Sequence, residues 1–388
     1  METMSHPCVW PFVRISALLG MICLPVLSLG QTGYEWNLPN WFPKPVVPSD
    51  NPMSAEKVKL GRYLFYDPRL SSDSKIACAS CHQQRFAFSS GPRPVVGVSG
   101  RFPLRKAPSL ANVAYYPALT WADPHINELE KQALIPMFNA HPSEMGSGQT
   151  QRKRRLVHLF ETDPIYKGLF REAFPAKSFP YTLDSMQKAL ASFERTLISC
   201  DSPYDRYVYA HLADAISPDA KRGAELFFGE AIGCAHCHAG INLTQNFKSE
   251  AKPDSLPSYT NTGLYNVHGQ NRYPSSDLGL YAVTGKLDEM GSFRIPTLRN
   301  VAITAPYMHD RSVKSLSAVI EHYRTGGRNI EGGHFAGNGA LNIRKSSYMQ
   351  GFAISASQRR QLESFLNSLT DDSLVLDERF ANPWTSRN

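Results

Sequence analysis

The stretch Cys78-Ala79-Ser80-Cys81-His82 places two thiols three positions apart and closes on an imidazole. Each thiol of such a unit can add to one vinyl group of a haem, and the next side chain is then carried beneath the iron as its proximal ligand. The unit returns as Cys234-Ala235-His236-Cys237-His238. A single copy would also suit half of a zinc site. Two copies, each closed by His, predict two covalently bound haem c groups held by Cys78, Cys81 and His82 and by Cys234, Cys237 and His238.

At 388 residues the chain has room for two domains of ordinary size, with one motif in each. Arg14 precedes an apolar run from Ile15 to Leu29, and Ser28 and Gly30 are small enough for a signal peptidase. Residues 1–30 therefore read as an export signal cleaved near Gly30, and the mature protein as periplasmic. Cys23 is followed by Leu24-Pro25-Val26 rather than a small residue, so no lipid anchor is read, and no later segment has the apolar length of a membrane span. Of the seven cysteines, Cys8 and Cys23 leave with the signal, four hold haem, and Cys200 reads as a small buried hydrophobe. The formal charge of +7 says little about partners. Arg152-Lys153-Arg154-Arg155 reads as a solvated helix face, and nucleic acid is not an expected partner of an exported haem protein.

Residues 31–52, rich in Pro and Trp (Trp36, Pro39, Trp41, Pro43, Pro45, Pro48), read as an extended N-terminal arm. Ser54 then caps a helix with Leu60, Tyr63, Leu64 and Phe65 on its apolar face, which delivers the chain to the first motif. Leu60-Gly61-Arg62-Tyr63-Leu64-Phe65-Tyr66 is echoed before the second motif by Arg222-Gly223-Ala224-Glu225-Leu226-Phe227-Phe228. Leu190-Ala191-Ser192-Phe193 and Leu362-Glu363-Ser364-Phe365 echo one another in the closing helices. The expected fold is mainly α: two cytochrome c-like haem domains, 53–210 and 211–388, packed together with long irregular loops. Those loops, Ser89 to Pro108 and Gly240 to Pro296, are long enough to be functional.

Ser109-Leu110-Ala111-Asn112-Val113-Ala114 before Trp121, and the run from Phe293 through Arg299-Asn300 to Pro306-Tyr307-Met308-His309-Asp310, together with the paired haem motifs, resemble the bacterial di-haem cytochrome c peroxidase and MauG family. The likeness spans about Asn51 to Thr370. Within the family it is strongest to the MbnH-type branch, through Trp36-Asn37-Leu38-Pro39, Asn51-Pro52-Met53-Ser54, Ser192-Phe193-Glu194-Arg195-Thr196-Leu197 and Asp201-Ser202-Pro203-Tyr204-Asp205.

A haem that activates peroxide needs an empty sixth position. Family members that must first be reduced block it with a His after the first motif, yet no His lies between Gln83 and Thr120, where Lys106 and tyrosines are the strong donors. The His82 haem is thus expected to be open at rest, with His125 the nearest candidate blocker. The resemblance implies Glu144 as the acid/base for peroxide, Gln132 as its hydrogen-bonding neighbour, Pro136 as a pocket wall and Trp121 as the bridge between haems. It further implies a calcium ion held by Asn112, Thr304 and Pro306. For the iron above His238 the candidate sixth ligands are Met290, Met308, His309 and Tyr323. Leu316, Val319, Ile320 and Tyr323 share a helix face, and the family position, filled by Met in reducible peroxidases and by Tyr in MauG, is Tyr323, with Met308 its main rival. Where MauG carries a surface-relay tryptophan this chain has Ile232, which leaves Phe228 and Tyr265 as exit candidates.

The resemblance thus implies a peroxide-dependent oxidoreductase that forms a high-valent two-haem state and oxidises a residue of a copper-associated partner protein, tryptophan to a kynurenine-like product. An ordinary peroxidase fed by a small cytochrome or cupredoxin, and a di-haem electron carrier without catalysis, are the alternatives.

Overall fold

Gly61 and Gly223 organise two equivalent helix crossings. A β-carbon on Gly61 would fall 2.0 Å from the Ala189 carbonyl oxygen, and one on Gly223 would fall 1.9 Å from that of Gln361, so each backbone meets its neighbour where only hydrogen fits. The computed structural model describes residues 34–385 apart from 94, 140–142 and 147–148, and the expected export signal lies outside the described residues. Its helices in the first half are α1 (Ala55–Tyr66), α2 (Cys78–Cys81), α3 (Leu129–Gln132), α4 (Leu134–Phe138), α5 (Gln149–Thr162), α6 (Pro164–Ala173), α7 (Leu183–Arg195) and α8 (Pro203–Val208). Then come α9 (Pro218–Phe228), α10 (Tyr281–Thr284), α11 (Leu316–Arg324), α12 (Ala356–Asn367) and α13 (Asp372–Val375). Sheet is confined to two antiparallel two-stranded ladders, Tyr259–Thr260 with Phe293–Arg294 and Asn329–Ile330 with Gly337–Asn338. The mainly α expectation holds.

The crossings are α1 on α7 and α9 on α12. Each of these helices starts at a hydroxyl that accepts from the third residue on: Ser54 from Lys57, Thr182 from Ser185, Ser217 from Ala220 and Ser355 from Gln358. Leu60, Leu64 and Phe65 pack with Met186, Leu190 and Phe193 in one core. Ala224 and Phe227 pack with Leu362, Phe365 and Leu366 in another. The echo in sequence is therefore an echo in packing.

It extends further than the helices. Asn112 and Asn300 both adopt left-handed backbone, at φ 58° and 62°. Asn112 N–H donates to Leu197 O (2.8 Å) while its side-chain Oδ1 accepts from Ser199 N (2.7 Å). Asn300 N–H donates to Leu369 O (2.9 Å), and its Oδ1 accepts from Asp371 N (2.8 Å). Each asparagine ties the loop after a haem motif to the end of the closing helix of the same half.

Helix is interrupted on both sides of α8, where the division was expected. Arg299 crosses it, buried and bidentate to Asp205 at 2.7 and 2.9 Å. The C-terminal tail returns to the first half, with Leu374 in its core and Trp384 donating to Tyr63 O at 3.0 Å. The arm from residue 34 carries no helix: Trp41 stacks on Tyr209 at 4.1 Å and buried Phe42 meets Tyr115 edge-on. The basic run departs from expectation, because Arg152 turns inward, only 5% exposed, and donates to the carbonyls of Met137 and Leu70. Carbonyls left open at the end of α4 and before α2 draw the guanidinium in. Cys200 is half-buried, and burial pushes its thiol up to about 12, which makes it inert as expected.

Candidate functional site

Cys78 and Cys81 form the single turn of α2, and His82 follows with its Nδ1 2.8 Å from Phe88 O. In the second motif His238 Nδ1 lies 3.2 Å from Leu243 O. Phe88 and Leu243 both sit in left-handed backbone, at φ 57° and 49°, which curls each carbonyl back under its histidine. Burial lowers the pKa of His82, and pushes that of His238 down to about 4, so both rings are neutral. A neutral imidazole donating from Nδ1 keeps the Nε2 lone pair free for a metal.

Burial pushes the Cys81 thiol up to about 11 and Cys234 to about 12, with Cys78 and Cys237 also raised. In each motif two thiols followed at once by a histidine are the donors that thioether links and a proximal bond to a haem require. Among the described residues no group of three or more His, Cys, Asp or Glu is disposed to hold a metal ion. The donor sets fit two covalent haems.

A cavity opens over the second motif. Cys234, Cys237 and His238 line it together with Trp121, Met308, His309 and Tyr323, whereas Met290 lies outside and gives its carbonyl to Asn261. Tyr323 projects from α11, and its hydroxyl makes no hydrogen bond among the described residues. Burial, with Cys237 and Cys234 nearby, raises its pKa well above the phenol range. Such a phenol keeps its proton until a cation takes its place. His309 is held against Phe293, ring to ring at 3.6 Å, and 3.6 Å from Asp277, so it is less free to move than Tyr323 or Met308.

Around the first motif, Glu144 lies close enough to Cys81 for its charge to act on that thiol, and burial raises its own pKa. Met145 N–H donates to Pro136 O at 3.0 Å, which brings Pro136 in α4 beside Glu144. Gln132 is half-buried at the end of α3. His125 is exposed, and Lys106 points its ammonium elsewhere, so neither is poised as a blocking ligand.

Trp121 joins the two regions. It lines the second cavity, and its Nε1–H donates to Lys106 O at 2.7 Å. Lys106 lies two residues before Pro108, whose carbonyl acts on His82. The segment 106–108 thus runs from the indole to the first proximal histidine.

Two of the three residues expected to hold calcium already make protein contacts in this structure. Asn112 has both side-chain atoms engaged: Nδ2 donates to Ser199 O (3.0 Å) and Asn242 Oδ1 (2.8 Å), and Oδ1 accepts from Ser199 N. Its counterpart Asn300 makes the equivalent tie. Thr304 O accepts the ammonium of Lys106, which is buried between Thr304 and the Tyr307 ring, while Pro306 follows on the same turn. The Lys106 amine already meets that carbonyl.

Sequence reasoning named Lys106 only as a possible iron ligand and passed over His236 and Tyr348, which stack at 4.3 Å beside the second motif. A buried lysine has no local signature, and neither does a stack formed from residues in two separate loops.

A family model described as di-haem cytochrome c peroxidase matches residues 55–212. Methylamine utilization protein MauG of Methylorubrum extorquens is 35% identical over 323 residues, which cover 83% of this chain and 80% of that protein. Cytochrome c551 peroxidase of Pseudomonas aeruginosa is 32% identical over 269 residues, 69% of this chain and 72% of that one. A crystal structure of a MauG-like protein associated with microbial copper homeostasis superposes with a TM-score of 0.88 at 41% identity, over 91% of this chain and 100% of that one. With two neutral proximal histidines on paired attachment motifs and these relatives, the chain belongs to the di-haem cytochrome c peroxidase and MauG family of peroxide-dependent oxidoreductases.

Proposed function

We propose that this chain works in the periplasm as a MauG-like enzyme, using hydrogen peroxide to oxidise a side chain of a partner protein, with tryptophan converted to a kynurenine-like residue. The observation that carries the reading is Tyr323. Its phenol shares the second cavity with Cys234, Cys237 and His238, and among the described residues its hydroxyl makes no hydrogen bond. As a phenolate it would be a hard anionic donor, which favours high oxidation states of iron over the ferrous state that an electron-entry haem requires. A copper-associated protein as substrate is supported by the 41% identity to a MauG-like protein associated with microbial copper homeostasis.

The two haems, when bound, supply the one-electron redox changes. Glu144, kept protonatable by burial, takes the first proton of hydrogen peroxide and returns it to the departing oxygen. Pro136 and Gln132 shape that pocket. Trp121 offers an indole between the two sites, held by its bond to Lys106. One haem domain on each side of residue 210 is part of the reading. Calcium is not, given the engagement of Asn112 and Thr304.

A second reading is a cytochrome c peroxidase fed by a small cytochrome or cupredoxin. Met308, which lines the same cavity as Tyr323, favours it, and so do the peroxidases among the relatives. Low-temperature EPR of the diferric protein separates the two, with Tyr323→Met alongside. One high-spin and one low-spin signal, both lost on stoichiometric peroxide without prior reduction, is the expected result, with the variant keeping its low-spin haem but not the long-lived oxidised state. Two low-spin signals indifferent to peroxide would overturn the reading, and an unaltered Tyr323→Met variant would transfer ligation to Met308.

A further inference from the structure

An oxidising equivalent that reaches the second cavity has its shortest way out through a redox-active group that touches both the cavity and solvent. Ile232 lines the cavity but is aliphatic and cannot be oxidised reversibly. Phe228 is partly exposed, yet it has no ionisable hydrogen to release. Tyr265 is buried, and its hydroxyl is bonded to Asp310 at 2.6 Å.

Tyr348 meets the requirement. It lines the cavity with Cys234 and Cys237, and it is 58% exposed, whereas none of the other aromatic rings lining the cavity is exposed. Its ring lies against His236 with centroids 4.3 Å apart and planes 17° from parallel. His236 stands between the two attachment cysteines. Its ring is fixed by Nδ1 to Gly233 O at 3.0 Å, its Nε2 lies 3.5 Å from Glu230, and its carbonyl accepts from Gln245. Two rings in contact therefore continue the haem-binding turn to the surface.

We propose that Tyr348, stacked on His236, is the exit relay for oxidising equivalents. A phenol is more easily oxidised than an imidazole, so the equivalent rests on Tyr348. In each cycle the phenol gives one electron to the haem site at Cys234 and Cys237, and its hydroxyl proton to water. The phenoxyl radical then takes one electron from the partner side chain and one proton from water, which restores the phenol. Two cycles supply the two electrons that, with two protons, convert one hydrogen peroxide to two waters. The inference rests on the reading that the electron donor is another protein.

The test uses the two-haem protein without a partner, given stoichiometric peroxide and a nitroso spin trap, with the adduct located by peptide mass spectrometry. Wild type should carry the adduct on Tyr348. Tyr348→Phe should lose it while keeping the same melting temperature and the same peroxide-induced change in the haem bands, which a merely structural tyrosine would not produce. Adducts elsewhere with Tyr348 unlabelled, or an undiminished radical yield in the variant, would overturn the relay and leave the functional reading standing. Haem bands indifferent to peroxide in wild type would overturn that reading and the relay with it.

Discussion

Replacing Lys106 by Met should reverse the order of stability between low and high pH. Lys106 is 6% exposed, its ammonium donates to Thr304 O, and burial together with Arg311 lowers its pKa from 10.5 to about 7. That fall corresponds to a ceiling of about 5 kcal/mol on the cost of keeping the amine charged in the folded protein. The unfolded chain binds the proton more tightly, so wild type carries the full deficit below pH 7 and gains stability as pH rises toward 10.5. Methionine fills nearly the same volume without charge, but it leaves the Thr304 carbonyl without its donor, at a cost of about 1–3 kcal/mol. Below pH 7 Lys106→Met should therefore be more stable than wild type by roughly 2–4 kcal/mol. Near pH 10 it should be less stable by about 1–3 kcal/mol. Calorimetric melting of both holoproteins from pH 6 to 10 reads this as two curves that cross. Parallel curves, or a variant that melts lower at every pH, would refute the reasoning. Because this lysine meets the carbonyl expected to hold calcium, prolonged dialysis against a chelator should change neither melting temperature nor haem spectra.

Glu144→Gln should slow the peroxide-induced haem-band change by roughly 10²–10⁴-fold in stopped flow, since the amide cannot carry the proton. Wild-type rates should also rise with pH through a titration displaced above the usual carboxylate range, a limb absent from the variant. Arg299→Met leaves the Asp205 carboxylate buried and uncompensated, with only its Ser202 bonds. It should cost about 3–5 kcal/mol of stability. Asp205→Asn paired with Arg299→Met should recover part of that loss in melting experiments.

Much of the architecture was legible because its signals are local. Helix starts at Ser54 and Ser217, the apolar faces that follow, and the glycines within them are patterns a few residues long. The echo between the halves pointed to a repeated unit, and the Gly61 and Gly223 crossings are its physical content. The contacts of Asn112 were not legible, because its partners Ser199 and Asn242 are remote in sequence and close in space. Arg152 was misread for a similar reason: a run of basic residues on a helix is usually solvated, and only the open carbonyls of Met137 and Leu70 draw one of them inside.

The sequence by itself determined the two haem attachments, since thiols and proximal histidine lie within five consecutive residues and their chemistry needs no distant partner. It also placed Tyr323 on one face with Leu316, Val319 and Ile320 through the period of α11. Only the tertiary structure decided which donors reach the second cavity, which side chain meets Thr304, and which ring opens to solvent. Lys106 and Thr304 are 198 residues apart in the chain. Burial, which sets their charge and reach, is a property of the packed whole rather than of any segment.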